Sequence, residues 1–200
     1  MSSFSEVKSQ ISLTNSYTQN FNSYDGSSLT VPSGWAATWS GSSGGFKGIM
    51  ASSNCNSPYP AGGLWALGTS PDYSFGALYS LNGGYDTITV NFVNTTGSVI
   101  NRLIIDWDYR QYGQCNTNGF TCSGTGLLNG DTSLASKTYT ADQAVAIGTS
   151  THISVIIAGL SIPASGVFGI KWITTTGQVA NTVRTPVGID NFSITAAADS

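Results

Sequence analysis

Apolar and polar residues alternate along most of this chain. In YDTITVNFV (85–93), Ile88, Val90 and Phe92 fall on one side while Thr87, Thr89 and Asn91 fall on the other. A period of two predicts an antiparallel strand with one buried face. In NRLIIDWDYRQY (101–112), Leu103, Ile105, Trp107 and Tyr109 share a face, and Ile104, Asp106, Asp108, Arg110 and Tyr112 share the opposite one. Ile153, Val155 and Ile157 alternate with His152 and Ser154. Phe168, Ile170 and Trp172 line one side of a later segment, and Phe192 and Ile194 turn inward in the last. Shorter strands are predicted at 17–22, 35–39, 46–51, 64–68 and 74–81.

Glycine, asparagine and proline clusters separate these runs, as in YDGSS, SPYPAGG, LNGGYD and IPASG. Such residues supply positive φ or bond their own backbone in turns. About ten short strands at this spacing predict an all-β fold, an antiparallel jelly-roll β-sandwich. One short helix is expected at TADQAVAI (140–147), with Thr140 as its N-cap. Residues 1–16 read as an N-terminal arm, 17–196 as the sandwich and 197–200 as a tail.

Composition narrows the function. Only 8% of the 200 residues are charged, with seven Lys and Arg, ten Asp and Glu, and one His. Ordinary soluble domains carry about 25%. Polar catalysis needs clustered carboxylates, imidazoles or thiolates, and few are present to cluster. Seven basic residues do not make the basic face of a nucleic-acid binder. No apolar run approaches the roughly 20 residues of a membrane span. The start, MSSFSEVK, lacks the basic and apolar regions of a secretory signal peptide. That fits a virion protein, or an extracellular one whose signal was removed.

Three cysteines cannot all pair within the chain. Cys115 and Cys122 bracket the loop CNTNGFTC and are the disulfide candidate, leaving Cys55 over. Three free thiols in a reducing compartment are the alternative. Zinc is not expected, because three Cys and one His lack paired spacing.

The order of QNFNSY (19–24), VPSGW (31–35), ALG (66–68), VNFVNTTGSVINRLIIDWDYRQYG (90–113), IAGLSIPASGVFGIKW (157–172) and GIDNFSIT (188–195) resembles bacterial and phage surface jelly-roll domains of anchored or secreted proteins. It is more distantly similar to MAM-type and laminin-G-like sandwiches. The resemblance implies that first and last strands pair, and that an acidic residue of the last strand helps hold a structural calcium ion. Asp190 occupies that place, with Asn20 or Asn22 on the partner strand. Asparagines stand where the family has further acids, and lost carboxylates weaken calcium binding.

Asp106 and Asp108 share a strand face about 7 Å apart at Cα, which allows a glycoside-hydrolase pair. Such enzymes use glutamates, and Glu6 is the only one here. An exposed ion-pair row with Arg110 is the simpler account. His152 has no GxSxG serine to activate. Trp39, Tyr59, Trp65, Tyr73, Tyr79 and Tyr112 are the aromatic surface candidates, able to stack on sugars or fill a subunit interface. Trp35, Trp107 and Trp172 read as core. Asn94-Thr95-Thr96 and Asn191-Phe192-Ser193 match the glycosylation sequon.

Three functions follow as expectations. The first is a non-catalytic structural or adhesive virion component, such as a phage capsid decoration or fibre, partnered by particle subunits or by itself as a homo-oligomer. The second is a secreted carbohydrate-binding module with a surface glycan as partner. The third is a hydrolase built on Asp106 and Asp108. Exposed coplanar rings would mark the second, and aromatic area buried between chains the first.

Overall fold

The computed structural model describes residues 9–27, 31–41, 44–53, 61–79, 84–115, 118–176 and 184–197. Among them are thirteen strands and one helical turn. In chain order the strands are β1 (Ile11–Leu13), β2 (Ser16–Gln19), β3 (Trp35–Trp39), β4 (Phe46–Met50), β5 (Gly63–Thr69), β6 (Asp72–Leu78) and β7 (Asp86–Asn94). They continue with β8 (Ile100–Gln111), β9 (Asn118–Gly126), β10 (Tyr139–Thr140), β11 (Ser150–Ile162), β12 (Val167–Thr176) and β13 (Val187–Ala197), and helix α1 (Thr132–Ala135) lies between β9 and β10.

Two sheets form the sandwich. One runs β1-β7-β12-β9-β10 with β3 also on β7. The other runs β11-β8-β13-β6-β5-β4 with β2 also on β13. Pairing is antiparallel except for β1 with β7 and β4 with β5. The jelly-roll sandwich is therefore as expected, with thirteen strands among the described residues where about ten were expected.

The alternating faces behave as the pattern predicts. Leu103, Ile105, Trp107 and Tyr109 of β8 are fully buried, as are Ile88, Val90 and Phe92 of β7 and Phe168, Ile170 and Trp172 of β12. Rings join the sheets. Trp172 meets Trp107 edge-on at 5.6 Å and Phe192 at 5.9 Å, and stacks on Trp35 at 5.9 Å. Phe92 stacks on Phe192 at 6.2 Å. Each such side chain removes 150–250 Å² of surface from water, so this column dominates the apolar stabilisation.

Two boundaries differ from expectation. Residues 11–16 are not an arm ahead of the sandwich. β1 pairs with β7, Leu13 is fully buried, and β2 begins at Ser16 and pairs with β13. Residues 1–8 and 198–200 lie outside the described residues. The helix expected at 140–147 does not form, and Thr140 belongs to β10. Buried Gln111 is the reason. Its Nε2 donates to the carbonyls of Gly113, Asp142 and Val145, and its Oε1 accepts from the Asp142 N–H at 3.0 Å. These bonds hold Asp142 and Val145 to β8 in a path of turns. The helical turn falls instead at α1, where Asp131 accepts from the Leu134 N–H at 3.0 Å. An N-cap acceptor and one buried leucine suffice for a single turn.

Asn94 is a second buried polar hub. Its Nδ2 donates to Ser98, Ile162 and Pro163 carbonyls at 2.8, 2.9 and 3.1 Å. Its Oδ1 accepts from the backbone and hydroxyl of Thr96 at 3.0 and 2.8 Å. The sequon asparagine is thus a tie between loops rather than an exposed amide. Truncation strands buried carbonyls, a cost of about 1–3 kcal/mol. Asn94→Ala is expected to lower Tm by roughly 2–12 °C, given about 2–4 °C per kcal/mol at this size. Thermal unfolding followed by circular dichroism checks this; an unchanged Tm would remove Asn94 from the account.

Candidate functional site

The aromatic candidates separate sharply. Tyr73, Tyr79 and Tyr112 are buried, contrary to expectation. Tyr112 is the clearest correction. Alternation does put it on the outer side of the seven-stranded sheet, but that side carries a second apolar cluster of Met50, Leu67, Leu78 and Tyr112. Its hydroxyl lies 2.7 Å from Ser74 Oγ, and the Arg110 guanidinium sits 5.5 Å from its ring centre. Trp65 is half-buried against the same cluster and donates Nε1–H to the Ala61 carbonyl at 3.2 Å. Tyr59 lies outside the described residues.

Trp39 alone of the described candidates stays open, at 40% exposure. It ends β3, beyond the reach of the core rings. Gly44 and Gly45 run along its indole, so closely that a Cβ on Gly44 would collide with the ring. Phe46 meets it edge-on at 6.1 Å. One part of the ring is bedded on glycine backbone, another meets Phe46, and the remainder faces solvent. Tyr85, 47% exposed, lies on the adjoining strand entry. The Ser40 N–H donates to the Tyr85 carbonyl at 3.0 Å, and the Tyr85 N–H donates to Ser40 Oγ at 2.9 Å. Tyr79 supports the Tyr85 ring at 5.3 Å, with the Arg184 guanidinium 4.6 Å over Tyr79. Sequence reading missed Tyr85, whose signal was its place just before an alternating run.

Asp86 pairs directly with Trp39 across β3 and β7. It is fully buried, and among the described residues neither carboxylate oxygen has a hydrogen-bond partner. Burial pushes its carboxyl up to about 7, against the opposing charge of Lys47.

A polar row crosses the outer face of the other sheet. His152 Nδ1 lies 2.8 Å from Asp108 Oδ1, and Nε2 lies 3.8 Å from Asp106 Oδ1. Asn191 Nδ2 donates to Asp108 Oδ2 at 2.9 Å, and Ser193 Oγ donates to Asp106 Oδ2 at 3.4 Å. Burial works to raise the Asp108 carboxyl. Hydrogen bonds from Asn191 and His152, the His152 charge and Ser150 outweigh it and hold the group below the ordinary carboxylate range. Arg110 is not part of a simple surface row. It donates at 2.8 Å both to exposed Asp72 and to buried Asp190.

That arrangement bears on calcium. Burial lifts the Asp190 carboxyl more than its Arg110 bonds lower it. One of its oxygens faces the guanidinium and the other accepts from the Asn191 N–H at 2.8 Å. Asn20 Oδ1 accepts from the Asn22 N–H at 3.2 Å, and the Asn22 amide faces the carbonyls of Asn20 and Pro71. These side chains do not fit a calcium ion: Arg110 already supplies the positive charge at Asp190. Among the described residues no group of three or more His, Cys, Asp or Glu surrounds a cation site.

The expected Cys115–Cys122 bridge is absent. Cys115 is disulfide-bonded, whereas Cys122 is a free thiol facing the core from β9. Burial pushes that thiol up to about 12. Strand geometry explains the miss, since Cys122 sits opposite Trp172 with its side chain inside. Cys55 lies outside the described residues.

No family model and no curated protein matches the sequence. Solved structures do match the fold. The K3 cleaved adhesin domain of Lys-gingipain from Porphyromonas gingivalis W83 aligns with a TM-score of 0.51 at 11% identity, over 90% of this chain and 98% of that one. A family 61 carbohydrate-binding module in complex with β-1,4-galactotriose aligns at 0.45 and 7% identity, over 90% and 99%. A family 11 carbohydrate-binding module from Clostridium thermocellum, in complex with a β-1,3-1,4-mixed-linked tetrasaccharide, aligns at 0.41 and 12% identity, over 96% and 100%. The adhesin-domain match shows a shared β-sandwich fold.

Asp86 makes stability depend on pH. An unfolded aspartate titrates near 3.9, so the folded chain holds an extra proton between about 4 and about 7. The stability this contributes is full below about pH 4 and lost as pH rises through about 7. Asp86→Asn keeps the site neutral at every pH. It is expected to raise stability over the native chain at pH 8, by at most about 4 kcal/mol, with the advantage gone below about pH 4. Thermal melts from pH 3 to 9 check this; a pH-independent difference would contradict it.

Proposed function

We propose that this chain is a non-catalytic adhesive module that binds carbohydrate, with Trp39 as its stacking platform. The supporting observation is the indole itself: a large ring, bedded on glycine backbone and 40% exposed. A sugar presents an apolar face to such a ring and hydroxyls to polar groups at its rim. Holding the ring on a strand end reduces the ordering cost of binding.

The hydrolase reading draws less support. A glycosidase acid must be held protonated near neutrality, whereas Asp108 is pushed the other way by its neighbours. The virion reading also draws less, because its sign was aromatic area reserved for other chains. Tyr73, Tyr79 and Tyr112 are instead buried within this one. A place on an extracellular surface goes with glycan binding, and any self-association would add avidity.

Titration with neutral oligosaccharides, read by tryptophan fluorescence, tests the proposal. Trp35, Trp107 and Trp172 are buried and Trp65 is half-buried, so the part of a blue shift that is lost in Trp39→Ala reports on Trp39. Trp39→Ala is expected to weaken affinity at this site roughly tenfold, about 1.4 kcal/mol, while Trp39→Tyr keeps most of it. Failure of the native chain to bind any glycan across a broad array would sink the reading.

A further inference from the structure

We propose a second carbohydrate-binding locus, separate from Trp39, on the outer face of the seven-stranded sheet where β2 meets the bulge of β13. It rests on the glycan-binding reading and adds a site and a ligand class to it. The ligand is an uncharged, hydroxyl-rich sugar chain.

Two adjoining cavities define the place. One, of about 400 Å³, is lined by Thr18, Gln19, Asn20, Asn191, Phe192 and Ser193. The other, of about 520 Å³, shares Thr18 and Gln19 and continues over the sandwich edge between β2 and β1, past Tyr17, Ser33, Pro32 and Ile11. No Lys, Arg, Asp or Glu lines either one. Hydroxyls and amides that both donate and accept suit a ligand made of hydroxyls.

Register extends the cleft into a track. Thr18 pairs with Ser193, Ser193 with Asp106, and Asp106 with Ser154, so one polar row crosses β2, β13, β8 and β11. Four strands at a spacing of ~4.8 Å give a floor of about 14 Å, the scale of a short oligosaccharide. Beside it, Asp108 and His152 are cross-strand partners. The carboxylates can accept from sugar hydroxyls, and they repel an acidic chain.

The bulge builds this face. The β13 register against β8 shifts between Asp190 and Ser193, and Asn191 takes a φ of 47°. Asp190 and Asn191 therefore both turn outward, while Ile189 and Phe192 stay in the core. Phe21, buried in the core, also has positive φ, at 56°. Positive φ is costly for a bulky residue and persists only where the surroundings enforce it. A peptide adding to the β2 edge fits less well, since β2 offers only four residues and strand addition draws its affinity from a ladder of main-chain bonds.

The test is calorimetric titration with neutral β-linked galacto-, gluco- and xylo-oligosaccharides, with oligogalacturonate as the acidic counterpart. The native chain, Trp39→Ala, Thr18→Val with Ser193→Ala, and all three changes together are compared, each checked for an unchanged fold by circular dichroism. Two sites per chain are expected natively and one in Trp39→Ala, with at least tenfold loss of the remaining site in the triple variant. Asp106→Asn in the Trp39→Ala background serves as a shape-preserving second probe and is expected to weaken neutral ligands severalfold.

Neutral binding that vanishes with Trp39→Ala alone would overturn the second locus and leave the Trp39 reading standing. Residual binding untouched by the Thr18 and Ser193 changes, and by Asp106→Asn, would overturn its location. Oligogalacturonate bound as tightly as neutral chains by Trp39→Ala would overturn the ligand class. No binding by the native chain would bring down the glycan reading itself.

Discussion

Everything in this sandwich depends on rings that meet across the two sheets. Trp172 comes from one sheet, and Trp107 and Phe192 come from the other; Trp35 closes the stack from an edge strand. A jelly roll of short strands has few local contacts to hold it. Long-range aromatic burial must therefore offset the entropy of joining distant segments. Because β8, β12 and β13 give the column their inward positions, their outward positions are left for polar work. Asp106, Asp108 and Ser193 owe their fixed geometry to Trp107 and Phe192 behind them.

Polar groups then decide what the rings leave open. Gln111 and Asn94 are each buried and each hold several backbone groups of loops that lack regular structure. Such hubs are costly to leave half-satisfied, so a loop that completes them has little freedom to do otherwise. Arg110 plays the same part for charge: buried Asp190 is kept from being an isolated carboxylate by a guanidinium that also reaches Asp72. With few charged residues in the chain, the low-charge character seen in the sequence becomes a surface of hydroxyls and amides. The uncharged cleft beside β2 is a consequence of that chemistry.

The division between what was legible and what was not is physical. The chain by itself determined the strand faces. Leu103, Ile105, Trp107 and Tyr109, Ile88, Val90 and Phe92, and Phe168, Ile170 and Trp172 point inward as their period of two requires, because side-chain direction in a strand is a local property. From those faces the all-β sandwich and the core tryptophans follow. The exposure of Trp39 was legible as one of several alternatives, since nothing local distinguished it from Tyr73 or Tyr112.

What only the tertiary structure decided is everything set by distant neighbours. Tyr112 is buried because Met50, Leu67 and Leu78, remote in sequence, cover the outer face at that point. Cys122 is unbridged because its strand turns it toward the core opposite Trp172. The 140–147 segment follows a path of turns held to buried Gln111 of β8, which is remote in sequence. The β13 bulge left a trace in the sequence, as Ile189 and Phe192 stand three apart where alternation calls for two. The partners it brings to Asn191 could be known only from the register between strands. Alternation tells which way a side chain points; what it meets there depends on pairing between segments far apart in the chain, and no local pattern encodes that.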